Sequence, residues 1–300
     1  MARPQDTDLL RLRQSVSAMG ATFSVVLYGL DRLRLEAAAK AAFDEIRRLD
    51  RLLSTFRPES ECSLVNRRAA QRPVRVSLEL YHLLSRCLEH SRETDGAFDI
   101  TVGPLKRVWG FFGGAGSVPS ADALAAARRH VGHHLVRLDA STHTVEFDHP
   151  GVEIDLGGIG KGYAVDRAAE ILRRHGVDAA LVAGSASSLY GLGAPPAEPR
   201  GWCADVRDSW RRGTRIAEVF LRDTSLSTSG TGEKGFWSGG TLYAHILDPR
   251  TGWSLPSITQ VSVVAAKAVD GEVWAKACLL NGPEWVAGRK PDTVKVLTAP

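Results

Sequence analysis

The segment at 152–176 combines residues that could bind a phosphate. It reads VEIDLGGIGKGYAVDRAAEILRRHG, and its glycines surround a single lysine: Gly157, Gly158, Gly160, Lys161 and Gly162. Glycine lets the backbone approach a ligand closely. The letters that follow have helical spacing, so we expect a strand, a glycine turn and a helix start, whose free N–H groups attract anions. A tight turn without a ligand would need the same residues, and both interpretations stay open.

Two common phosphate-binding loops are excluded at this segment. A Walker loop fails because Gly162 stands where Ser or Thr must follow the lysine, and Asp155 stands at the first glycine. A dinucleotide fingerprint fails because its two possible starts place Tyr163 or Val165 at the third glycine. The Gly-x-Ser-x-Gly motif of serine hydrolases does not occur in the sequence.

Two further segments carry candidate binding or catalytic groups. The run Gly-Ala-Phe-Asp, which ends at Asp99, offers small residues, an aromatic face and a carboxylate, and these suit a flat heteroaromatic ring. His245 precedes the turn Asp248-Pro249, where its imidazole could act as a base. A structural role is the alternative for both segments.

The composition narrows the class of protein. A content of 44% hydrophobic residues supports a large core, and the net charge of +4 with a pI near 9.0 suits anionic small molecules. The basic residues are interleaved with acids and no nucleic-acid-binding motif occurs, so no nucleic-acid partner is expected. No apolar run has the length of a membrane span, and no membrane insertion is expected. The four cysteines form no Cys-x-x-Cys pair and indicate reduced thiols in a cytoplasmic protein.

Helical and strand patterns alternate irregularly along the chain, which favours an α+β fold with two lobes that share a cleft. Residues 1–15 are predicted to be a disordered N-terminal extension, and residues 16–300 a single domain. The glycine- and aromatic-rich run GAFDITVGPLKRVWGFFGG is expected to be a loop at the site or a lid.

Six segments in order make the chain resemble one family, the ApbE family of FAD:protein FMN transferases. They read MGATFSVVLYG, LDRLLSTFRPESECSLVN, TDGAFDITVGPL, IDLGGIGKGYAVD, STSGTGEK and AHILDPRTG, and they extend from about Met19 to Asn281. The resemblance implies a two-lobed, T-fold-like α+β domain with a flavin-nucleotide cleft. It also implies transfer of FMN from FAD to a Thr or Ser hydroxyl of an acceptor protein, with release of AMP.

The resemblance also implies roles for individual residues. Contacts to FAD are expected at Met19, Phe56, Ala97, Phe98, Asp99, Lys161, Arg167 and Ile246. The backbone carbonyl of Ala164 falls at a magnesium-binding position, and His245 is the candidate base for the acceptor hydroxyl. The cofactors implied are therefore FAD, as substrate, and Mg²⁺.

Two departures from the family pattern affect these expectations. The family usually has Asp and Thr as magnesium ligands near its C-terminal end, and Glu272 and Lys276 stand at those positions here. Glutamate can bind a hard cation, but a protonated lysine cannot. The two side chains could instead form an i, i+4 ion pair. The second departure is Ser185, which replaces the second residue of a Gly-Gly pair.

Three activities are compatible with these residues. The first is FMN transfer, the second is hydrolysis of FAD to FMN and AMP, and the third is FAD binding without catalysis at a degenerate metal site.

Overall fold

A seven-stranded antiparallel sheet forms the centre of the protein, in the order β1-β2-β6-β7-β10-β13-β14. The structure is a computed structural model, and it describes residues 9–208, 211, 214–232, 235–255 and 259–298. The strands are β1 (Leu10–Ala18), β2 (Ala21–Gly29), β3 (Val74–Arg75), β4 (Val136–Asp139), β5 (Thr144–Phe147), β6 (Ala179–Gly184), β7 (Ser188–Leu192), β8 (Trp202–Arg207), β9 (Arg215–Leu221), β10 (Thr224–Gly230), β11 (Gly235–Ser238), β12 (Thr241–Ala244), β13 (Gln260–Ala265) and β14 (Lys295–Thr298). The helices are α1 (Arg32–Leu53), α2 (Glu61–Arg68), α3 (Leu78–Glu93), α4 (Gly103–Val108), α5 (Ala121–Arg128), α6 (Gly160–Arg174), α7 (Ala268–Asn281) and α8 (Pro283–Ala287).

The two faces of the central sheet are covered by different elements. Helices α1, α6 and α7 lie side by side on one face, where the alternate residues Phe23, Val25 and Leu27 of β2 enter the main core. The residues between them, Val26 and Tyr28, pack instead against the hairpin β8-β9 on the other face. This period of two is what a strand buried on both faces requires.

A smaller layer adjoins the helical face. It contains α2, α3 and the three-stranded sheet β3-β5-β4, and its side chains join the same main core. A separate cluster around Trp109 ties α4 and α5 to the hairpin β11-β12. The α+β class predicted from the sequence is confirmed by this arrangement.

Three sequence-based boundaries need correction. Strand β1 begins at Leu10 and pairs along its whole length with β2, so residues 10–15 are not a disordered extension. Residues 1–8 lie outside the described part of the chain. The glycine- and aromatic-rich run contains helix α4, because Pro104 suits the first turn of a helix. Residues 152–156 are not a strand, because the polar groups of this extended segment bond to Asn66 and Ile100.

Among the helices of the described residues, none is both long enough and apolar enough to cross a membrane.

Helices α6 and α7 approach each other closely at Gly162. A Cβ atom on this glycine would lie 2.8 Å from the backbone oxygen of Ala268, which begins α7. One turn further along α6, the Asp166 carboxylate accepts the N–H groups of Ala268 at 2.8 Å and of Val269 at 3.0 Å. Asp166 thus caps α7 from a neighbouring helix. Gly162 is therefore required by helix packing, and a ligand is not needed to explain it.

We expect Gly162→Ala to destabilise the fold by about 1–3 kcal/mol, because the new methyl group would overpack against backbone that cannot rotate away. The measurement is the free energy of unfolding from urea denaturation. The matched control is Gly288→Ala, where φ is negative and the nearest atom to a new Cβ is 4.0 Å away. Equal stabilities of the two variants would contradict the close approach of the helices.

Candidate active site

A cleft of about 920 Å³, including solvent space at its mouth, lies where the loops of both layers meet the ends of α6 and α7. It is the convergence point of segments far apart in the sequence. Its lining residues are Ala97, Phe98, Asp99, Val102, Lys106, Asp155, Gly157, Gly158, Lys161, Ser187, Thr228, Ser229, Gly230, His245, Ile246, Leu247, Pro249, Glu272, Lys276 and Leu280. The predicted residues Ala97, Phe98, Asp99, Lys161, His245, Ile246, Glu272 and Lys276 are thus on one surface.

The glycine turn forms one wall of the cleft. Gly157 donates its N–H to the Asp155 carboxylate at 2.9 Å, and helix α6 starts at Gly160 without a side-chain cap. The uncapped start of a 15-residue helix presents N–H groups and the positive end of the helix dipole. Lys161 adds a full charge in its first turn. This combination suits a phosphate-bearing ligand.

The Lys161 ammonium is held in place by a serine. Its Nζ donates to Ser187 Oγ at 2.6 Å, and Ser187 is buried between β6 and β7. The carbonyl of Ser187 accepts the N–H of Thr228 at 2.7 Å, which ties this lysine to the Ser-Thr-Ser-Gly end of β10. Hydrogen bonding to a neutral hydroxyl fixes the cation without cancelling its charge.

A second lysine of the cleft was missed by the sequence analysis. Lys106 on α4 forms an ion pair with Asp155, which precedes the glycine turn. Asp155 lies inside a segment that resembles the family and Lys106 directly follows another, but 49 residues separate them, and only the fold brings them together. Ser187 and Thr228 were also missed by the sequence analysis. Their small polar side chains form no recognisable motif in the sequence, and only the fold brings them together at the cleft.

The loop that carries Phe98 is fixed by Asp99. Its carboxylate accepts the N–H and the hydroxyl of Thr101 at 2.8 and 2.7 Å and the N–H of His133 at 2.7 Å. Asp99 is buried, and these bonds point its oxygens into the loop. Its contribution is therefore to hold Ala97 and Phe98 in the wall of the cleft.

His245 lies directly after β12, at the start of a rigid turn. Asp248 stabilises the turn by accepting the backbone N–H of Arg250 and the guanidinium of the same residue, both at 2.9 Å from Oδ1. The N–H of Gly252, which has φ of +79°, returns to the Asp248 carbonyl at 2.7 Å. His245 is half-buried and lines the cleft beside Ile246.

Glu272 and Lys276 occupy one face of α7 at the cleft. Glu272 Oε1 accepts the hydroxyl of Ser188 at 2.5 Å, and Lys276 Nζ lies 3.9 Å from Oε2. Lys276 also donates to the backbone carbonyl of Glu272 at 3.2 Å. The i, i+4 ion pair expected as an alternative to metal binding is therefore present.

Met19 and Phe56 lie outside the cleft but near its borders. Met19 and Gly20, both with positive φ, form the two-residue turn between β1 and β2, and the Met19 methyl group faces Gly160. Phe56 is 72% exposed and meets the edge of Phe112, whose ring lies 5.4 Å from the Lys106 ammonium. Their predicted contacts with FAD remain predictions.

Two other predicted residues are occupied elsewhere in the fold. The Arg167 guanidinium pairs with Glu45 at 3.2 Å and with Glu170 at 2.6 Å, so it joins α6 to α1 and does not line the cleft. Ala164 is fully buried in the main core within α6 and is also absent from the cleft wall. Arg167, six residues after Lys161, faces away from it around α6, whereas Ala164, three residues after Lys161, lies on a neighbouring side of the helix but in the core.

Ser185 has a left-handed backbone conformation of the kind that favours glycine. Its φ is +57°, and its N–H donates to the Thr22 carbonyl at 2.8 Å. A non-glycine residue is uncommon in this left-handed region. The exposed Ser185 side chain does not line the cleft, so this substitution leaves the wall unchanged.

The model of the ApbE family matches residues 19–297 of this sequence. The chain belongs to the ApbE family. The match includes the smaller layer, every segment of the cleft, and the central sheet except β1 and the last residue of β14.

Characterised ApbE proteins are similar to this chain in sequence. The FAD:protein FMN transferase of Klebsiella pneumoniae (strain 342) is 34% identical over 264 residues, which cover 87% of this chain and 79% of that protein. The FAD:protein FMN transferase of Treponema pallidum (strain Nichols) is 31% identical, with 83% of this chain and 73% of that protein covered.

Crystal structures of ApbE proteins have the same fold. The ApbE protein of Thermotoga maritima superposes with a TM-score of 0.88 at 29% identity, covering 96% of this chain and 94% of that one. The apo form of the flavinyl transferase ApbE of Pseudomonas stutzeri gives a TM-score of 0.83 at 25% identity, covering 97% and 95%.

A buried histidine supports the ApbE cleft from behind Phe98. The ring nitrogens of His90 on α3 lie 2.8 Å from Glu93 Oε2 and 3.0 Å from Asp270 Oδ1 on α7. The Phe98 ring meets this imidazole edge-on at 6.3 Å. Burial alone would raise the pKa of Asp270, but the hydrogen bond and charge of His90, with the charge of Arg86, outweigh burial and lower its pKa.

The bridge between α3 and α7 is expected to depend on pH. Because the folded-state pKa of Asp270 is lowered, its stabilising contribution is present above its unfolded-state pKa of about 3.9 and is lost as the pH falls through the folded-state value. Asp270→Asn should therefore flatten the loss of unfolding free energy between about pH 5 and pH 2, which denaturant titrations measure. Asp122→Asn, at an exposed position on α5, is the control. A pH profile of Asp270→Asn identical to that of wild type would refute the bridge.

Asp99→Asn is expected to lower the free energy of unfolding by about 1–3 kcal/mol, because the amide has one acceptor oxygen for donors that approach both carboxylate oxygens. FAD affinity, measured by calorimetry, should weaken as the Phe98 loop loosens. Asp95→Asn in the same loop is the matched control, since Asp95 is 60% exposed and Asn tolerates its φ of +48°. An unchanged stability of Asp99→Asn would show that these bonds do not hold the loop.

Proposed function

We propose that this protein is an FAD:protein FMN transferase that moves FMN from FAD to a Thr or Ser hydroxyl of an acceptor protein. The observation that carries the proposal is the convergence, in one cleft, of Lys161 at the start of α6, the Phe98 loop and His245. The first suits a pyrophosphate, the second an aromatic ring, and the third can take a proton. The named activity of the Klebsiella and Treponema relatives supports the same function.

The proposed reaction breaks one bond of the FAD pyrophosphate and forms one new phosphoester. The acceptor oxygen attacks the phosphorus on the FMN side, and the bond from that phosphorus to the bridging oxygen breaks. AMP leaves with the bridging oxygen, and the hydroxyl proton passes to His245. Such a transfer depends mainly on positioning and on neutralising charge on the phosphoryl oxygens. Lys161 and the helix dipole of α6 provide this neutralisation.

The ring-binding end of the cleft is assigned to the Ala97-Phe98-Asp99 loop together with Ile246. Ala97, Phe98 and Ile246 are buried apolar residues in the cleft wall. An apolar wall with a few fixed polar groups is the usual character of a small-molecule site.

We also propose that the protein acts in the cytoplasm, because its four cysteines are free thiols. Cys203 is exposed, unlike the other three.

The direct test is a mass spectrum of a candidate acceptor protein after incubation with FAD. Transfer adds the mass of FMN less one water to a Thr- or Ser-containing peptide, and AMP appears in equal amount. AMP release without a modified acceptor would make the protein a pyrophosphatase. FAD binding without AMP in any condition would make it a binder, and equal affinity for NAD and FAD would remove the basis of the proposal.

His245→Ala is expected to reduce turnover by about 10²–10⁴-fold, the usual contribution of a general base. FAD affinity should stay nearly intact, because the imidazole acts on the acceptor hydroxyl. Turnover follows from AMP release at saturating FAD, and affinity from calorimetry. His82→Ala, on the exposed side of α3, is the control and should behave as wild type. If His245→Ala turns over at the wild-type rate, His245 has only a structural role in the turn.

A further inference from the structure

The magnesium site that is usual in the ApbE family does not fit the residues of this chain. The family pattern places an Asp and a Thr at the positions of Glu272 and Lys276. A Lys ammonium has three donors and no lone pair, so it cannot be a ligand. Ala164, whose carbonyl falls at the third position, is buried in the core and does not line the cleft.

The remaining carboxylate already has partners. Glu272 is 5% exposed, its Oε1 accepts the Ser188 hydroxyl at 2.5 Å, and its Oε2 lies 3.9 Å from Lys276 Nζ. Mg²⁺ requires near-octahedral oxygen ligands at about 2.0–2.1 Å. An ion on Glu272 would therefore have to displace the serine or lie within a few ångström of a fixed positive charge.

Lys276 is positioned where a cation could act on the pyrophosphate. Its stem passes the glycine turn, since a Cβ atom on Gly158 would lie 3.3 Å from Lys276 Cε. The side chain is 22% exposed and lines the cleft, as Lys161 does. The two lysines thus belong to opposite helices, α7 and α6, and face the same space beside the turn.

We propose that the ammonium of Lys276 takes over the role of a divalent ion, so that this site binds FAD and transfers FMN without a metal. The proposal rests on the proposed function. Glu272 holds Lys276 through the ion pair and through its backbone carbonyl, so the ammonium places its positive charge in the cleft, where the phosphoryl oxygens of FAD would lie. Lys161 provides the second charge.

The cost of metal binding follows from Coulomb repulsion. A single positive charge about 4 Å from a bound divalent cation, at an effective dielectric constant of 20, weakens its affinity by about a millionfold. Removal of the ammonium should reverse this effect. We therefore expect Lys276→Thr to create metal affinity, and the combination with Glu272→Asp to increase it.

The first experiment measures metal binding and FAD binding, not activity. Mn²⁺ is titrated into wild type, Lys276→Thr and the matched control Lys267→Thr, which removes an exposed lysine next to the same helix, and free Mn²⁺ is followed by EPR. Wild type and control should not bind Mn²⁺ at the cleft, and Lys276→Thr should bind at least about 100-fold more tightly. FAD binding is measured separately, in EDTA. Lys276→Met should bind FAD about 10–100-fold more weakly than wild type, because the variant loses one charged hydrogen bond to the ligand. Near-ultraviolet circular dichroism verifies that each variant is folded.

The second experiment measures AMP release from FAD in the presence of acceptor, first in EDTA and then with increasing Mg²⁺. Wild-type activity should be the same in both conditions, and Lys276→Thr should be inactive in EDTA and regain activity with Mg²⁺. Wild-type activity that requires Mg²⁺, or tight binding of Mn²⁺ to wild type, would overturn this proposal and leave the proposed function intact. Absence of FAD binding in every condition would instead overturn the proposed function.

Discussion

The contact between α6 and α7 at Gly162 is the constraint on which the cleft depends. Without a side chain at this position, the backbone of α7 begins against the first turn of α6, and Asp166 caps α7 from there. The two helices carry Lys161 and Lys276, respectively, at the same cleft. A larger spacing would separate the two ammonium groups and widen the turn between them, so helix packing determines how charge is concentrated at the site.

The ammonium groups of the cleft are held in place by protein partners before any ligand binds. Lys161 is held by the hydroxyl of Ser187, Lys106 by the carboxylate of Asp155, and Lys276 by Glu272. An ammonium group keeps its positive charge when it donates hydrogen bonds, so each of these lysines can attract a phosphoryl oxygen. Charges already fixed in place need little reorganisation when the negative charge of a phosphoryl transfer develops. The carboxylates of Asp155 and Glu272 balance the charges of Lys106 and Lys276, which allows several lysines to be half-buried in one cleft.

The fold class and much of the cleft could be predicted from the sequence, because helix periodicity, turn residues and the family segments are local signals. The Ala97-Phe98-Asp99 loop, Lys161 and His245 are examples. Contacts across the fold had no such signal. Lys106 meets Asp155 only through tertiary structure, and the packing role of Gly162 depends on a helix more than a hundred residues away. Arg167 pairs with glutamates outside the cleft wall, which its sequence context could not indicate, because a basic residue after a glycine turn has the same local pattern whether it faces a ligand or neighbouring glutamates.

Glu272 and Lys276 form a pair, so a substitution at one of the two residues changes the stability of the other. The extra methylene of glutamate, compared with aspartate, lets Oε1 reach Ser188 on β7 while Oε2 faces the lysine. Removal of Glu272 alone would leave a half-buried ammonium without its carboxylate, and removal of Lys276 alone would leave a buried carboxylate without its cation. Breaking a buried pair on one side is strongly destabilising, commonly by about 3–5 kcal/mol. Replacement of Lys276 by Thr therefore leaves a buried carboxylate whose charge a metal ion would have to balance, whether residue 272 is Glu or Asp.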